Sequence, residues 1–386
     1  MMVSVKLALI GGVLLLVGGT AVALGILPAG DALAIGDRVW PILLFVVAIT
    51  VVAELAAAAG VFDLAGALLA RLARGRTVVL WMLVVALAVV ATAFLSLDTT
   101  AVLLTPVVIA VARANRLPPM VFAFTTVWLA NTASLLLPVS NLTNLLAVHR
   151  MGLGTPWEFL ALLGPPALVA IAVTVLVLWV SHRGELRGRY VPATIPRAAD
   201  VPLLVTTAIV VAVMLPFLVS GLEPWMPALA AAVILVLLFT WRHPGALGLG
   251  LVPWNVLVFA LGLFLSVGAL EATGALDAVG ALVGDGPAAL WQAAGLGLVG
   301  ANAINNLPAY LALEPAASSP ALLAALLIGV NAGPVIAPWG SLATLLWHQR
   351  LRAAGVEVSW RRFVLWGMLL GPLAVAGAVV PLWWRV

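Results

Sequence analysis

NTASLLLPVSNLTNLLA, residues Asn131 to Ala147, interrupts an otherwise apolar chain with short polar side chains set around a proline. It returns at a constant offset of 200 as NAGPVIAPWGSLATLLW, Asn331 to Trp347, pairing Asn131 with Asn331, Pro138 with Pro338, Leu142 with Leu342 and Leu145–Leu146 with Leu345–Leu346. A spanning segment of this kind cannot continue as one helix, because proline removes a donor and clashes with the preceding turn. The freed backbone groups then have to be satisfied internally, around a cavity or a ligand. Two such breaks, one per half, are the sequence mark of a secondary transporter with its site at a repeat interface.

Composition sets the frame for that reading. The chain of 386 residues is 65% hydrophobic and only 8% charged, far from the quarter or so of charged residues in a soluble globule. Lys6 precedes a long apolar run without a recognisable processing site, so the first segment is expected to be retained. Cysteine is absent, which excludes disulfides, thiolate metal sites and thiol nucleophiles. The net charge of +4 comes from basic residues placed singly or in short clusters between spans, and is not the footprint of nucleic-acid binding. No cofactor and no enzymatic centre are expected.

Outward from the first break, the runs Leu7–Pro28 and Trp40 to about Gly60 are long enough to span. GVFDLAGALLARLARGR, ending in Arg71, Arg74 and Arg76, reads as a short interfacial amphipathic helix. Val78–Leu97, interrupted at Asp98-Thr99-Thr100 and resuming to Ala114, reads as a re-entrant hairpin, since arginines flank both ends. The broken helix, about Pro118 to Ala147, and a return span, Trp157–Ser181, follow. After the polar segment His182–Asp200 come spans at Val201–Val219, Pro224–Thr240 and Pro253–Glu271, then an amphipathic stretch, GALDAVGALVG. A second hairpin at about 288–314, a second broken helix at about 320–352 and a last span from Arg361 to about Leu382 complete the chain. Gly60, Asp63, Gly66, Ala67 and Leu68 recur as Gly274, Asp277, Gly280, Ala281 and Leu282, which supports two halves.

The expected fold is an all-α polytopic membrane protein with inverted-topology repeats, each carrying a re-entrant helical hairpin and a broken transmembrane helix. Its divisions are a first half, 1–181, a cytoplasmic loop with linking span, 182–223, and an inverted second half, 224–386. With the N-terminus in the cytoplasm and the C-terminus outside, every Lys and Arg except Arg38, Arg150 and Arg385 falls inside, as the positive-inside rule requires.

Asp98 is the leading functional residue, because a carboxylate within hydrophobic depth is costly and usually faces a pathway or a partner. It begins DTTAV and is expected to cap the second limb of the hairpin, accepting from its first amides; a cap alone is the plainer role. Glu54, inside a span, is the second proton-coupling candidate, although a bond to a neighbouring hydroxyl or carbonyl would also explain it. Glu271 and Glu314, near segment ends, are expected to reach headgroups. Thr99, Thr100, Asn131, Thr132, Ser134, Ser140, Asn141, Thr143 and Asn144 near the first breaks, with Asn305, Asn306, Asn331, Ser341 and Thr344 near the second, offer neutral donors and acceptors for a small hydroxylated solute. Capping and interhelical bonding are the competing role for each. Asn302 lies before the expected hairpin tip. His149, His182, His243 and His348 lack ligand spacing, so no metal centre is expected. The tryptophans near span ends suit interface anchoring.

LDTTAVLLTPVVIA, ANTASLLLPVSNLTNLLAV, NNLPAYLAL and NAGPVIAPWGSLATLLW together resemble the arsenite efflux permease family, within an ion-transporter superfamily that includes sodium/proton antiporters and sodium-coupled dicarboxylate carriers. The resemblance covers nearly the whole chain. It implies export of arsenite or antimonite, as the neutral hydroxide, in exchange for protons across the inner (plasma) membrane. It also implies a soluble ATPase subunit in some organisms, and homodimers, which are common in the superfamily. By carry-over, Asp98 matches the acidic residue of the first hairpin, Asn305 and Asn306 the paired asparagines of the second, and Asn141 and Asn144 those of the first broken helix. The chain departs from the family at Ala332 and Val335, where members often carry more polar residues. Sodium/proton exchange through Asp98 and Glu54, and sodium-coupled organic-anion uptake, are the alternatives; no Arg or Lys is expected at mid-depth to neutralise a dianion.

Overall fold

The computed structural model describes residues 2–193, 200–275, 282–284, 286 and 288–385. It is an all-α polytopic membrane fold. Seven helices among the described residues are long and apolar enough to cross a membrane: Ala29–Ala58, Thr77–Leu95, Leu97–Ala114, Pro156–Leu186, Trp225–Arg242, Trp254–Ala272 and Trp360–Trp383. Shorter apolar helices accompany them.

In chain order, α1 (Met2–Ala23) and α2 (Ala29–Ala58) lead to α3 (Val61–Leu72), the amphipathic helix that closes on Arg71. α4 (Thr77–Leu95) and α5 (Leu97–Ala114) form two limbs of a hairpin. Their junction is Ser96, at φ 84 and ψ 160, a region that side-chain-bearing residues rarely occupy. Within α5 the ladder slips to π geometry over Thr100–Leu104. Pro106 follows directly and has no N–H for the carbonyl four residues back, so the slip lies where the α-ladder is already broken.

α6 (Pro119–Thr132) stops at a short 3₁₀ turn and resumes after Pro138 as α7 (Leu142–Met151). Asn141 caps the resumed helix, its Oδ1 accepting from Thr143 N at 3.3 Å. α8 (Pro156–Leu186), α9 (Val201–Phe217), α10 (Trp225–Arg242) and α11 (Trp254–Ala272) follow. The second amphipathic stretch expected at 274–284 falls largely outside the described residues. α12 (Ala289–Ile304) and α13 (Asn306–Leu313) meet at Asn305, at φ 87 and ψ 154. The tip is therefore Asn305, and Asn302 lies inside the preceding limb. α14 (Pro320–Ala332) and α15 (Leu342–Ala353) flank the second break, with Ser341 as the cap of α15, accepting from Thr344 N at 3.3 Å. α16 (Trp360–Trp383) ends the chain.

α1 packs along α11, α2 against α10, and α8 against α16. α15 lies on the first hairpin and α6, while α7 lies on α13 and α14. α12 crosses α14 closely: a Cβ at Gly329 would sit 2.2 Å from Ala294 O. Only glycine permits that approach, and it draws the second hairpin onto the broken helix. At the centre, Phe124 packs its ring against Trp128, Trp347 and Phe363 at centroid distances of 4.9, 5.9 and 6.0 Å. Large apolar side chains such as Leu16, Ile209, Leu237 and Leu365 stay exposed along the outer helices, as expected of surfaces that face hydrocarbon.

Polar contacts sort the loops into two ends. At one, Tyr190 hydroxyl donates to Ala70 O, Ala193 N to Asn115 Oδ1, and Arg113 to Gly355 O. At the other, Arg385 donates to Ala161 O and Arg38 pairs with Glu314.

Candidate functional site

Two cavities lie in the bundle, one on the side of Arg38 and Thr155 and the other on the side of Arg350. The first, about 560 Å³, is bordered by Asp37, Arg38, Trp40, His149, Thr155 and Glu223 among others, and reaches Pro138 at the first break. The second, about 250 Å³, holds Thr50, Glu54, Ser96, Asp98, Thr99, Asn255 and Arg350. Phe45 of α2 and Leu145 of α7 line both. These two apolar side chains are walls common to both cavities.

α2, the first hairpin and α15 together position the polar groups of the second cavity. Glu54 comes from α2, Asp98 from the first turn of α5, and Arg350 from the last turn of α15. Asp98 is not the cap of its helix. Ser96 is: its Oγ accepts from Thr99 N at 3.4 Å and contacts Thr99 Oγ1 at 3.2 Å. The positive φ at Ser96 starts the helix two residues earlier than the Asp-Thr-Thr pattern implies. Asp98 is thereby free of structural duty, and its Oδ1 is buried without a hydrogen-bond partner. A buried, unsatisfied carboxylate oxygen is uncommon in a native fold and demands an explanation.

Arg350 was expected only among the basic residues of the cytoplasmic end. Instead it faces the same cavity as Asp98 and Glu54, yet forms no ion pair among the described residues. Position in the chain gave no warning of this, because the arginine reaches the cavity through the packing of α15 on the hairpin.

The asparagines form a different unit. Asn331 Oδ1 accepts from Asn141 Nδ2 at 2.9 Å and from Thr143 Oγ1 at 2.8 Å, while Asn331 Nδ2 donates to Asn144 Oδ1 at 2.7 Å. Asn144 Nδ2 also donates to Ser134 O and Leu137 O, at 2.6 and 2.9 Å. Ser140 Oγ donates to Ala93 O at 2.9 Å, fastening the break to the first hairpin. Thr132 and Thr100 donate to backbone carbonyls of their own segments. All of these side chains are buried, and none borders either cavity. Asn131, in the position corresponding to Asn331, donates to Val127 O at 2.8 Å but leaves Oδ1 buried and unpartnered.

At the second break, Asn302 is the most fully used side chain. Nδ2 donates to Leu298 O and Gly333 O, at 2.8 and 2.9 Å, and Oδ1 accepts from Ile336 N and Ala337 N, at 3.2 and 2.8 Å. Asn305 donates to Trp339 O at 2.9 Å, Asn306 N to Gly340 O at 2.9 Å, and Ser341 and Thr344 contact each other at 3.0 Å. The sequence candidates thus separate. Asp98, Glu54 and Thr99 share a cavity, whereas Asn141, Asn144, Asn331, Ser140 and Asn305 fasten the breaks, and Asn131, Thr132 and Thr100 bond to carbonyls of their own segments.

Glu314 does not reach outward to headgroups. It is 6% exposed, paired with Arg38 and bonded by Tyr310 hydroxyl at 3.1 Å. Since Arg38 also donates to Leu146 O at 3.3 Å, the pair ties the second hairpin to α2 and α7 beside the first cavity. Among the described residues no group of three or more His, Asp or Glu is placed to hold a metal ion.

Comparison with known proteins adds the family. The citrate transporter family matches residues 2–329. An arsenical pump membrane protein of Escherichia coli is 31% identical over 389 residues, covering 94% of this chain and 89% of its own. That of Escherichia coli K12 is 30% identical over 376 residues, covering 91% and 87%. The fold is that of the Alcanivorax borkumensis YdaH transporter, whose crystal structure superposes with a TM-score of 0.60 at 14% identity, over 98% of this chain and 97% of that one.

Proposed function

From a chain that belongs to the arsenical pump membrane protein family, within the ion-transporter superfamily, we infer a secondary transporter that exports arsenite or antimonite in exchange for protons. It is a membrane transporter, not an enzyme. The observation that carries the inference is the second cavity, whose lining includes Asp98, with one carboxylate oxygen buried and unpartnered, and Glu54, and whose apolar Phe45 and Leu145 serve as the barrier toward the first cavity.

Such an oxygen can hold a proton or accept a hydrogen bond from a hydroxyl of the neutral solute, but not both through the same lone pair. Solute arriving from the cytoplasm finds the ionised carboxylate. A proton arriving from outside removes the acceptor and releases the solute. Passage past Phe45 and Leu145 in the charged, empty state is penalised, because an unpaired carboxylate in an apolar barrier is costly. Exclusive occupancy together with that penalty constitutes antiport. Glu54 relays the proton between Asp98 and the cytoplasm. The amides at the two breaks hold the crossing point together and make way as the access changes.

Inverted repeats fit this cycle. The hairpin tips Ser96 and Asn305 share nearly the same backbone angles, Asn141 and Ser341 cap helices at the same offset as the sequence repeat, and α1–α11 and α2–α10 are exchanged pairs. We assign 1–181 and 224–386 as the two halves, joined by 182–223, with the N-terminus cytoplasmic and the C-terminus outside the inner membrane. The end that carries Arg76, Arg113 and Arg183 is then cytoplasmic. A homodimer and a soluble ATPase subunit on that face are compatible with this orientation.

Arg350 favours a second reading, in which the cavity takes a small organic anion, since a guanidinium facing it supplies the countercharge. Proteoliposome flux of arsenite, antimonite and citrate, driven by a proton or a sodium gradient, distinguishes the readings. Asp98→Asn should insert and fold normally, because Ser96 keeps the cap, yet lose proton-driven arsenite flux. Wild-type flux in that variant with an unchanged pH profile would remove Asp98 from coupling.

A further inference from the structure

Four arginines, Arg76, Arg183, Arg187 and Arg189, surround a separate concavity of about 290 Å³ at one end of the bundle, with Val78, Trp179 and Leu186 as its apolar wall. The positive-inside rule explains why arginines lie at this end. It does not explain why they converge. Two loops are zipped together there, Tyr190 N donating to Gly75 O at 2.9 Å and Thr77 N to Gly188 O at 3.2 Å. The result is an antiparallel bridge that sets Arg76 directly opposite Arg189. Like charges directly opposite each other repel and destabilise the pair.

The zipper is nonetheless built with care. Gly75 lies at φ 74, and a Cβ there would sit 2.5 Å from Tyr190 O, so glycine is needed for the approach. Tyr190 hydroxyl anchors the strand to Ala70 O at 2.6 Å. None of the four arginines forms an ion pair among the described residues; the pairs there are Arg38–Glu314 and Arg242–Asp200. Glu185, the acid nearest in sequence, has one carboxylate oxygen buried without a partner and does not line the concavity. The arrangement concentrates positive charge at a point where, among the described residues, no acid pairs with it.

The apolar wall shows what kind of anion fits. Trp179 and Val78 are 45% and 40% exposed, on the flanks of α8 and α4 that face hydrocarbon, and Met82 continues the exposed flank of α4 one turn on. A ligand seated here would have its charge among guanidinium groups and its remainder along lipid-facing side chains. We propose that this concavity is a binding site for an anionic phospholipid of the cytoplasmic leaflet, the phosphate held by Arg76 and Arg189 with Arg183 and Arg187 around it, and an acyl chain lying on Val78, Met82 and Trp179. Guanidinium forks match phosphate oxygens two at a time, and basic pockets between helices on the cytoplasmic side suit such headgroups. Because the lipid would bridge α4 of the first hairpin and α8, it would neutralise the Arg76–Arg189 repulsion and brace the hairpin that carries Asp98.

The test uses the full-length protein, delipidated in a neutral detergent and titrated with phosphatidylglycerol, phosphatidylcholine or inorganic phosphate, with native mass spectrometry counting bound lipid. The wild type should bind phosphatidylglycerol at least tenfold more tightly than phosphatidylcholine, and millimolar inorganic phosphate should not displace it. The double variant Arg76→Gln/Arg189→Gln should lose that preference, whereas Arg116→Gln/Arg352→Gln, which removes the same charge from exposed positions at the same end, should keep it. Arg183→Gln/Arg187→Gln, at the exposed end of α8, gives the same readout should the bridge variant not fold. Equal loss in the Arg116/Arg352 control would reduce the effect to general surface charge and overturn the site. Displacement by inorganic phosphate would assign the pocket to a free anion, and unchanged lipid preference in both arginine pairs would end the proposal.

Discussion

Asn331 and Asn131 occupy corresponding positions in the two broken helices, and their surroundings predict unequal consequences of removal. Asn331→Ala takes away three buried side-chain bonds at 2.7 to 2.9 Å and strands Thr143 Oγ1 and Asn144 Oδ1; Asn141 Nδ2 keeps only a 3.5 Å contact with Ser134. Interhelical hydrogen bonds in membranes average about 0.6 kcal/mol and reach about 1.7. Three of them give a loss of about 2 to 5 kcal/mol, which agrees with the usual penalty for stranding two buried polar groups. Asn131→Ala removes one bond within its own helix and an oxygen that has no partner, so its cost should stay below about 1 kcal/mol. Reversible unfolding in mixed dodecyl maltoside–SDS micelles, followed by tryptophan fluorescence, measures both on one scale. Equal costs for the two variants, or a cost under about 1 kcal/mol for Asn331→Ala, would refute the unequal roles of the two asparagines.

Phe45→Ala and Leu145→Ala each remove apolar wall common to both cavities, and a proteoliposome loaded with a pH-sensitive dye should show a proton leak several times that of the wild type, greatest in the double variant; tight vesicles would mean that the barrier lies elsewhere. Asn305→Ala should destabilise the second hairpin by about 0.5 to 1.5 kcal/mol through the lost bond to Trp339 O, while Asn305→Gly should cost less in the same unfolding assay, because glycine relieves backbone angles that are costly for any residue with a Cβ. Asp200, at the cap of α9, accepts two hydrogen bonds from Arg242, which hold its carboxyl below the usual carboxylate range. Its contribution to stability is complete above the unfolded pKa of about 4 and is lost as pH falls through the lower folded value. The deficit of Asp200→Asn should therefore be present at pH 7 and vanish in strong acid, as read by thermal unfolding across pH. A deficit that persists at pH 2 would show that the lost interaction was not ionic.

The breaks, the caps beside them and most spans were legible in the sequence because they obey local rules. Pro138 and Pro338 lie within the interruptions that follow Thr132 and Ala332, and Asn141 and Ser341 restart the helices. Runs such as Trp40 to about Gly60 or Arg361 to about Leu382 can be recognised by length, although α2 begins earlier, at Ala29, and takes Asp31, Asp37 and Arg38 into the helix. The same local logic went astray by two residues at the first hairpin. There the helix start depends on the backbone angle of Ser96, which no residue preference announces, and so Asp98 was read as a cap. What lies beside what was not encoded locally at all. Core-facing and lipid-facing sides of these helices are both apolar, so periodicity does not mark which face meets a neighbour. Arg350 looked like one more basic residue at a helix end, and Phe45 and Leu145 like any other apolar positions. Only the packing of α15 on the first hairpin, and of α2 beside α7, puts Arg350 into one cavity with Asp98 and Glu54 and turns Phe45 and Leu145 into walls common to two cavities. Those contacts join residues a hundred to three hundred positions apart, and it is tertiary structure that selects them.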